Sequence, residues 1–255
     1  MSRGRTRAAW AAKLVEHAAI EIPPGPGPHP LTIQLHGCGG LRPFMAGYSA
    51  AAVEAGVAAM TVDSFRPRGL NRLSASALVC TGLMLRGDQR AADVFALYEW
   101  ARSQPWVDSD KIAFAGWSHG AWTIMDALAL GQEARRATGL SDLPDDPLAG
   151  LAGVVLIYTY AGYPSLTTRR GWPQARPPVA ALVCGKDQVV GHRLPQRAYD
   201  RLAADGVPIE RLVFADATHA FDDTAPNDPR SVHRPDLFQQ ARAWYVERLR
   251  AAFGR

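Results

Sequence analysis

Lysine is nearly absent from this chain. Of 28 basic residues only Lys13, Lys111 and Lys186 are lysines, and arginine supplies the rest. The formal charge is a mild +4, and no basic run is interleaved with aromatics, which argues against a nucleic-acid interface. Cysteine is also scarce. Cys38, Cys80 and Cys184 form no C-x-x-C pair, so a structural zinc site or a thioredoxin-like motif is not expected, and the odd count fits a reducing compartment. No metal and no cofactor is expected. Long apolar runs are missing too. The longest, residues 151–163, is too short for a membrane span and carries glycines and tyrosines. The start is basic like a signal peptide, but the Ala/Leu stretch behind it is broken by Lys13, Glu16 and His17. It is therefore read as no signal peptide, and the protein as cytoplasmic. Repeats and low-complexity segments are lacking.

What remains suits one globular domain. A chain of 255 residues with 47% hydrophobic and 20% charged content can bury a full core. Residues 1–30 are read as an N-terminal extension holding a short helical stretch, a first strand at 18–22 and a Pro/Gly turn. From 31 to 255, strands and helices alternate. Apolar strand-like runs lie at 31–36, 57–62, 112–115, 153–158, 179–184 and 209–214. Helical periodicity lies at 44–55, 87–103, 192–204 and 235–252. Continuously apolar strands imply an α/β fold with a mostly parallel central sheet and helices on both faces. Loops at 66–85 and 159–178 are long enough to shape a pocket, and nothing is long enough for a separate cap.

The motif that carries chemistry is Gly116-Trp117-Ser118-His119-Gly120. It follows the strand at 112–115 and opens a helix over 121–130, the strand–elbow–helix setting that lifts a serine hydroxyl clear of the sheet edge. Serine needs a base, and imidazole titrates near neutrality. Among seven histidines, His219 lies in the loop after the last strand, where it can reach back over the sheet. His233, in a polar loop, is its main rival. The loop after 153–158 holds no Asp or Glu before Pro178, whereas the strand at 179–184 leads directly into Asp187. Asp187 is therefore the expected orienting acid. Asp216 is too close in sequence to His219, and Asp222 and Asp223 read as solvated loop charges or helix caps. An oxyanion hole needs two backbone N–H groups. His119 follows the nucleophile, and Cys38, in His36-Gly37-Cys38-Gly39-Gly40, is the choice for the second. A phosphate-binding reading of that loop is weaker, because G-x-G-x-x-G is missing.

These blocks, together with Asp63-Ser64-Phe65-Arg66-Pro67-Arg68-Gly69, Arg90, Asp93, Gly185-Lys186-Asp187 and Thr218-His219-Ala220-Phe221, resemble the dienelactone hydrolase family of the α/β-hydrolase superfamily. Ala220 stands where the family has glycine. The resemblance runs from about His36 to Phe221. It implies a single-domain α/β-hydrolase fold and an esterase or lactonase acting through Ser118, His219 and Asp187. The enzymes that name the family use a cysteine nucleophile. With serine in that place, the transfer is to a serine carboxylesterase of the broader family.

Two other readings stand beside this one, a serine peptidase of prolyl-oligopeptidase type and a non-catalytic scaffold. Trp117, Tyr158 and Tyr160 are candidate substrate-binding residues. Asp63 with Arg68 reads as a structural ion pair or a loop brace, and Arg90 with Asp93 as a helical i,i+3 pair. Cys38 and Cys80 lie in loops leaving the same sheet edge, so a bridge between them is open, and Cys184 reads as a core residue. The expected partner is a small-molecule ester, with no nucleic acid and no membrane. The oligomeric state is open.

Overall fold

Strand β1 (Ala18–Glu21) lies antiparallel to β3 (Ala58–Val62), and every other neighbour in the sheet is parallel. The remaining strands are β2 (His29–Leu35), β4 (Val107–Trp117), β5 (Gly153–Ile157), β6 (Val179–Cys184) and β7 (Ile209–Phe214). The seven strands follow the order β1-β3-β2-β4-β5-β6-β7 in one sheet. The coordinates are a computed structural model, and it describes residues 4–70, 79, 85–226 and 228–254.

The helices are α1 (Arg7–Val15), α2 (Phe44–Glu54), α3 (Gly87–Arg102), α4 (His119–Ala129), α5 (Ala134–Thr138), α6 (Arg193–Ala204) and α7 (Pro235–Ala252). Local chemistry sets several of their starts. The Thr6 hydroxyl accepts the Ala9 N–H at the head of α1, and Pro235 occupies the first turn of α7, where no N–H is needed.

Strand alternation assigns the two layers. Leu31, Ile33 and Leu35 of β2, Ile112 and Phe114 of β4, and Val154 and Leu156 of β5 face α1, α3, α4 and α6. Ala113, Ala115, Trp117, Val155 and Ile157 point the other way, toward α2 and α7. Each large apolar side chain buried in these layers stabilises the fold by about 1.5–3 kcal/mol. On the α2/α7 side β2 carries Thr32 and Gln34 instead of apolar residues, and both are fully buried. They are satisfied across the layer. Tyr245 of α7 meets Thr32 and Gln34 at 2.8 and 3.1 Å, and Ser49 and Thr61 donate to the Gln34 carbonyl.

Two expectations need correction. Strand β4 begins five residues earlier than its apolar run, because Asp108 to Lys111 are polar and hide the extension. Its pairing with β2 shifts register there. Strand β7 is not buried. It is a sheet edge, and Val213 is 52% exposed.

Candidate active site

All three candidate catalytic side chains leave the carboxyl edge of the sheet, where ligands of such sheets bind. Ser118 is the single residue between β4 and α4, with φ 51° and ψ −108°. Two glycines make that turn possible. A Cβ on Gly116 would stand 2.5 Å from the Ala121 nitrogen, and one on Gly120 would stand 2.0 Å from the Leu35 carbonyl oxygen of β2. The elbow thus brings α4 against β2 with no side chain between them. The Ser118 N–H donates to the Ile157 carbonyl of β5 at 2.9 Å.

The Ser118 hydroxyl lies 3.1 Å from Nε2 of His219, and Nδ1 of His219 lies 2.7 Å from an oxygen of Asp187. The other Asp187 oxygen accepts the N–H groups of Val189 and Val190, both at 2.9 Å. Burial works to raise the Asp187 carboxyl, but these bonds, led by the one to His219, outweigh it and hold the group below its usual range. Asp216 is exposed and pairs with Lys186, away from the imidazole.

A cavity of about 380 Å³ opens over this row. Cys38 and His119 both border it, as do Gly37, Gly39 and Gly40 of the loop after β2. Phe44, Trp122, Tyr158, Tyr160, Val189 and Val190 supply an apolar lining, while Arg42, Asp223, Asp228 and Ser231 supply a polar one. Trp117 touches the cavity but is chiefly a core aromatic, fully buried against Phe44, Tyr48 and Tyr245. Tyr158 packs edge-on to the His219 ring at 4.8 Å and turns its hydroxyl inward to Asp222 at 2.8 Å. Tyr160 packs at a tilt against Trp122, with ring centres 4.9 Å apart.

Several charged residues sit differently from what the sequence suggests. Asp222 and Asp223 are not solvated. Asp222 is fully buried and accepts the hydroxyls of Tyr48 and Tyr158, while Asp223 is forked by Arg42 at 2.7 and 3.1 Å. Arg68 pairs bidentately with Asp93, at 2.7 and 3.0 Å, rather than with Asp63. Asp63 instead caps its own loop by accepting the N–H groups of Phe65 and Arg66. Cys184 is a buried free thiol and Cys38 is disulfide-bonded. Cys80, the partner considered for Cys38 from the sequence, lies outside the described residues.

Strain concentrates here. Among the described residues the non-glycine positions with positive φ are Leu85, Ser118, Tyr158 and Ala220. The last three line the cavity, and the Leu85 carbonyl accepts from the His119 ring at 2.7 Å. Such backbone is retained where surrounding structure over-determines it. Ala220, at φ 50°, is only partly buried, so its methyl group gains little. Ala220→Gly is expected to raise unfolding free energy by about 0.5–1 kcal/mol, the left-handed penalty less the added chain entropy. Urea melts of the two proteins check this, and a less stable glycine variant would contradict it.

Two buried carboxyls flank the cavity. Burial pushes Asp126 up to about 7, although it accepts the Trp122 indole N–H at 2.6 Å and the Leu166 N–H at 2.8 Å. Burial likewise pushes Asp222 up to about 7. An unfolded aspartate titrates near ~3.9. Between those values the unfolded chain has released a proton that the folded chain still holds, so these groups lower stability as pH rises toward 7. Asp126→Asn is expected to gain on wild type by about 1–3 kcal/mol on going from pH 5 to pH 8. The wild-type difference cancels the acid-side loss from His36 and His119, which burial holds well below the usual histidine range. Equal urea midpoints shifts at both pH values would contradict the assignment.

Among the described residues no group of three His, Cys, Asp or Glu side chains could hold a metal ion. No helix among them is long and apolar enough to cross a membrane.

A model of the prolyl oligopeptidase family matches residues 76–138, the stretch from before α3 through the serine elbow and α4. No curated protein matches the sequence. Solved structures do match along nearly the whole chain. Esterase 2 of Thermogutta terrifontis, phosphoramylated by tabun, superposes with a TM-score of 0.66 at 14% identity, over 93% of this chain and 89% of that one. Est1E of Butyrivibrio proteoclasticus, solved with ferulic acid bound, gives 0.63 at 13%, over 94% and 96%. A dienelactone hydrolase-like promiscuous phosphotriesterase from metagenomic libraries gives 0.65 at 18%, over 89% and 88%. The chain has a single-domain α/β-hydrolase fold, in agreement with the dienelactone hydrolase-like resemblance of its motifs.

Proposed function

We propose that this protein is a dienelactone hydrolase-like serine esterase that cleaves carboxylic esters or lactones through an acyl-enzyme intermediate. The observation that carries the reading is the continuous row from Ser118 through His219 to Asp187, at 3.1 and 2.7 Å. In this mechanism the Ser118 oxygen attacks the ester carbonyl while Nε2 of His219 takes its proton. Asp187 holds the ring with Nδ1–H facing it and stabilises the imidazolium that forms. The backbone N–H groups of Cys38 and His119 receive the tetrahedral oxygen. His219 returns the proton to the leaving alkoxide, and water then attacks the acyl-enzyme by the same route in reverse.

The cavity supports small substrates. A volume of about 380 Å³ accommodates a short or single-ring acyl group. Its aromatic and valine lining favours an apolar acyl chain, and the bound ferulic acid of the Est1E structure illustrates a ligand of that kind in a related fold. A second reading, a serine peptidase, is favoured by the prolyl oligopeptidase match over 76–138. That match covers the elbow, which both enzyme classes share, and leaves out Asp187 and His219.

p-Nitrophenyl esters from acetate to octanoate, assayed beside a peptide p-nitroanilide, separate the two. The esterase reading expects turnover of the short esters and little amide cleavage. Efficient anilide cleavage with no ester preference would favour the peptidase.

A further inference from the structure

Arg90 is a charged side chain with an unusual setting. It is fully buried on α3, yet among the described residues it has no hydrogen-bonded carboxylate of its own. Its Nη1 donates to the His36 carbonyl at 2.8 Å and to Nδ1 of His119 at 3.1 Å. Among the described residues its Nε and Nη2 have no hydrogen-bond partner. The nearest acidic oxygen belongs to Asp93, 3.9 Å from Nε. Both oxygens of Asp93 are already taken. Arg68 forks them, and the Trp10 indole N–H adds a bond of 2.7 Å. Arg5 and Arg68 flank the same Trp10 ring, at 3.9 and 4.7 Å from its centre. Asp63 is the other carboxylate nearby, and it sits at the edge of the group, partly exposed. Cationic charge thus exceeds anionic charge in a buried place.

Both bonds of Arg90 end on residues that flank the candidate oxyanion hole. His36 lies two residues before Cys38, and His119 carries the other candidate donor N–H. The two histidine rings act as neutral connectors. His119 donates Nε2–H to the Leu85 carbonyl, so its Nδ1 must be the acceptor facing Arg90. His36 accepts the Ser64 N–H at Nε2 and so donates Nδ1–H to the Gly37 carbonyl. Burial and the neighbouring Arg90 keep both rings uncharged, and Arg90 itself, lowered by burial to about 9, remains charged at neutral pH. A buried cation is costly and persists where it is compensated or used.

On the esterase reading above, we propose that Arg90 is a positioning residue of the oxyanion hole. It ties the loop after β2 to the residue behind the nucleophile, and its uncompensated charge favours the oxygen that becomes negative during attack. It touches no substrate. A unit charge within roughly 10 Å of a developing oxyanion, at an effective dielectric of about 20, changes a rate by about 10-fold or more.

The test compares wild type with Arg90→Gln, which keeps a donor but loses the charge, and Arg90→Lys, which keeps the charge. The readouts are kcat and KM for p-nitrophenyl acetate, the fluorophosphonate labelling rate, Ki for a trifluoromethyl ketone, and Tm. Gln is expected to lower kcat and the labelling rate by about 10–100-fold, raise Ki by a similar factor, and leave KM within about twofold. Lys is expected to restore most of each. Equal losses in Gln and Lys, or a Gln variant as fast as wild type, would overturn the proposal. If Gln fails to fold, Lys decides. A Ki within about fivefold of wild type supports the proposal, and any larger loss at unchanged Tm overturns it. Wild type that takes no fluorophosphonate label would instead sink the esterase reading, and the Arg90 proposal with it.

Discussion

Ser118→Ala is expected to lower ester turnover by about four to six orders of magnitude, because nucleophile and base act as a unit. The change removes one oxygen from a residue that is 6% exposed, and its hydroxyl's partner is the His219 imidazole. Folding should be little affected, since the elbow is held by Gly116, Gly120 and the backbone bond from Ser118 N–H to Ile157. The check is a comparison of purified wild type and variant on p-nitrophenyl acetate at matched Tm. Unchanged hydrolysis would remove Ser118 from the mechanism.

Asp187→Asn is expected to cost about 10³–10⁴-fold in kcat. The asparagine amide can turn its N–H₂ toward Nδ1 of His219, which forces the ring into the tautomer that cannot take the Ser118 proton. In the proposed mechanism the carboxylate is also the group that offsets the imidazolium charge. The variant keeps an oxygen able to accept the N–H groups of Val189 and Val190, so its fold should survive. Asp216→Asn is the control. Asp216 is 69% exposed beside Lys186, and its loss should change kcat less than about twofold. A crippling Asp216→Asn with a mild Asp187→Asn would reverse the assignment of the acid.

The layers of the fold were legible because the central strands are largely apolar, with β5 and β6 apolar on both faces. Val179–Cys184, Ile209–Phe214 and Pro235–Ala252 match their sequence-based bounds; the first is a continuous apolar run, the second ends in three apolar residues, and the third has a proline at its first helical turn. The first half of β4 was hidden by Asp108, Ser109 and Asp110, which edge past the covering helices and stay partly exposed. The bringing together of Ser118, His219 and Asp187 was legible from the order of the strands, since the segments that follow β4, β6 and β7 at one edge carry one of them each.

The charges behind the site were not legible. A polar loop such as 222–223 reads the same whether it is solvated or buried, and its partners come from far away. Tyr48 is 174 residues from Asp222, and Arg42 is 181 from Asp223. Arg68 took Asp93 rather than Asp63 for a similar reason. The chosen carboxylate lies 25 residues on, on a helix that only the folded chain brings near. The available signal was the density of arginine and aspartate between 63 and 93, which shows that charges are present without showing which pairs form.

The central claim is that Ser118 is an activated nucleophile. Wild-type protein treated with a fluorophosphonate and digested should yield one modified peptide, with the adduct on Ser118. Denatured protein and the His219→Ala variant should stay essentially unlabelled under the same conditions. A folded wild type that takes no label, or that takes it on another residue, would contradict the account.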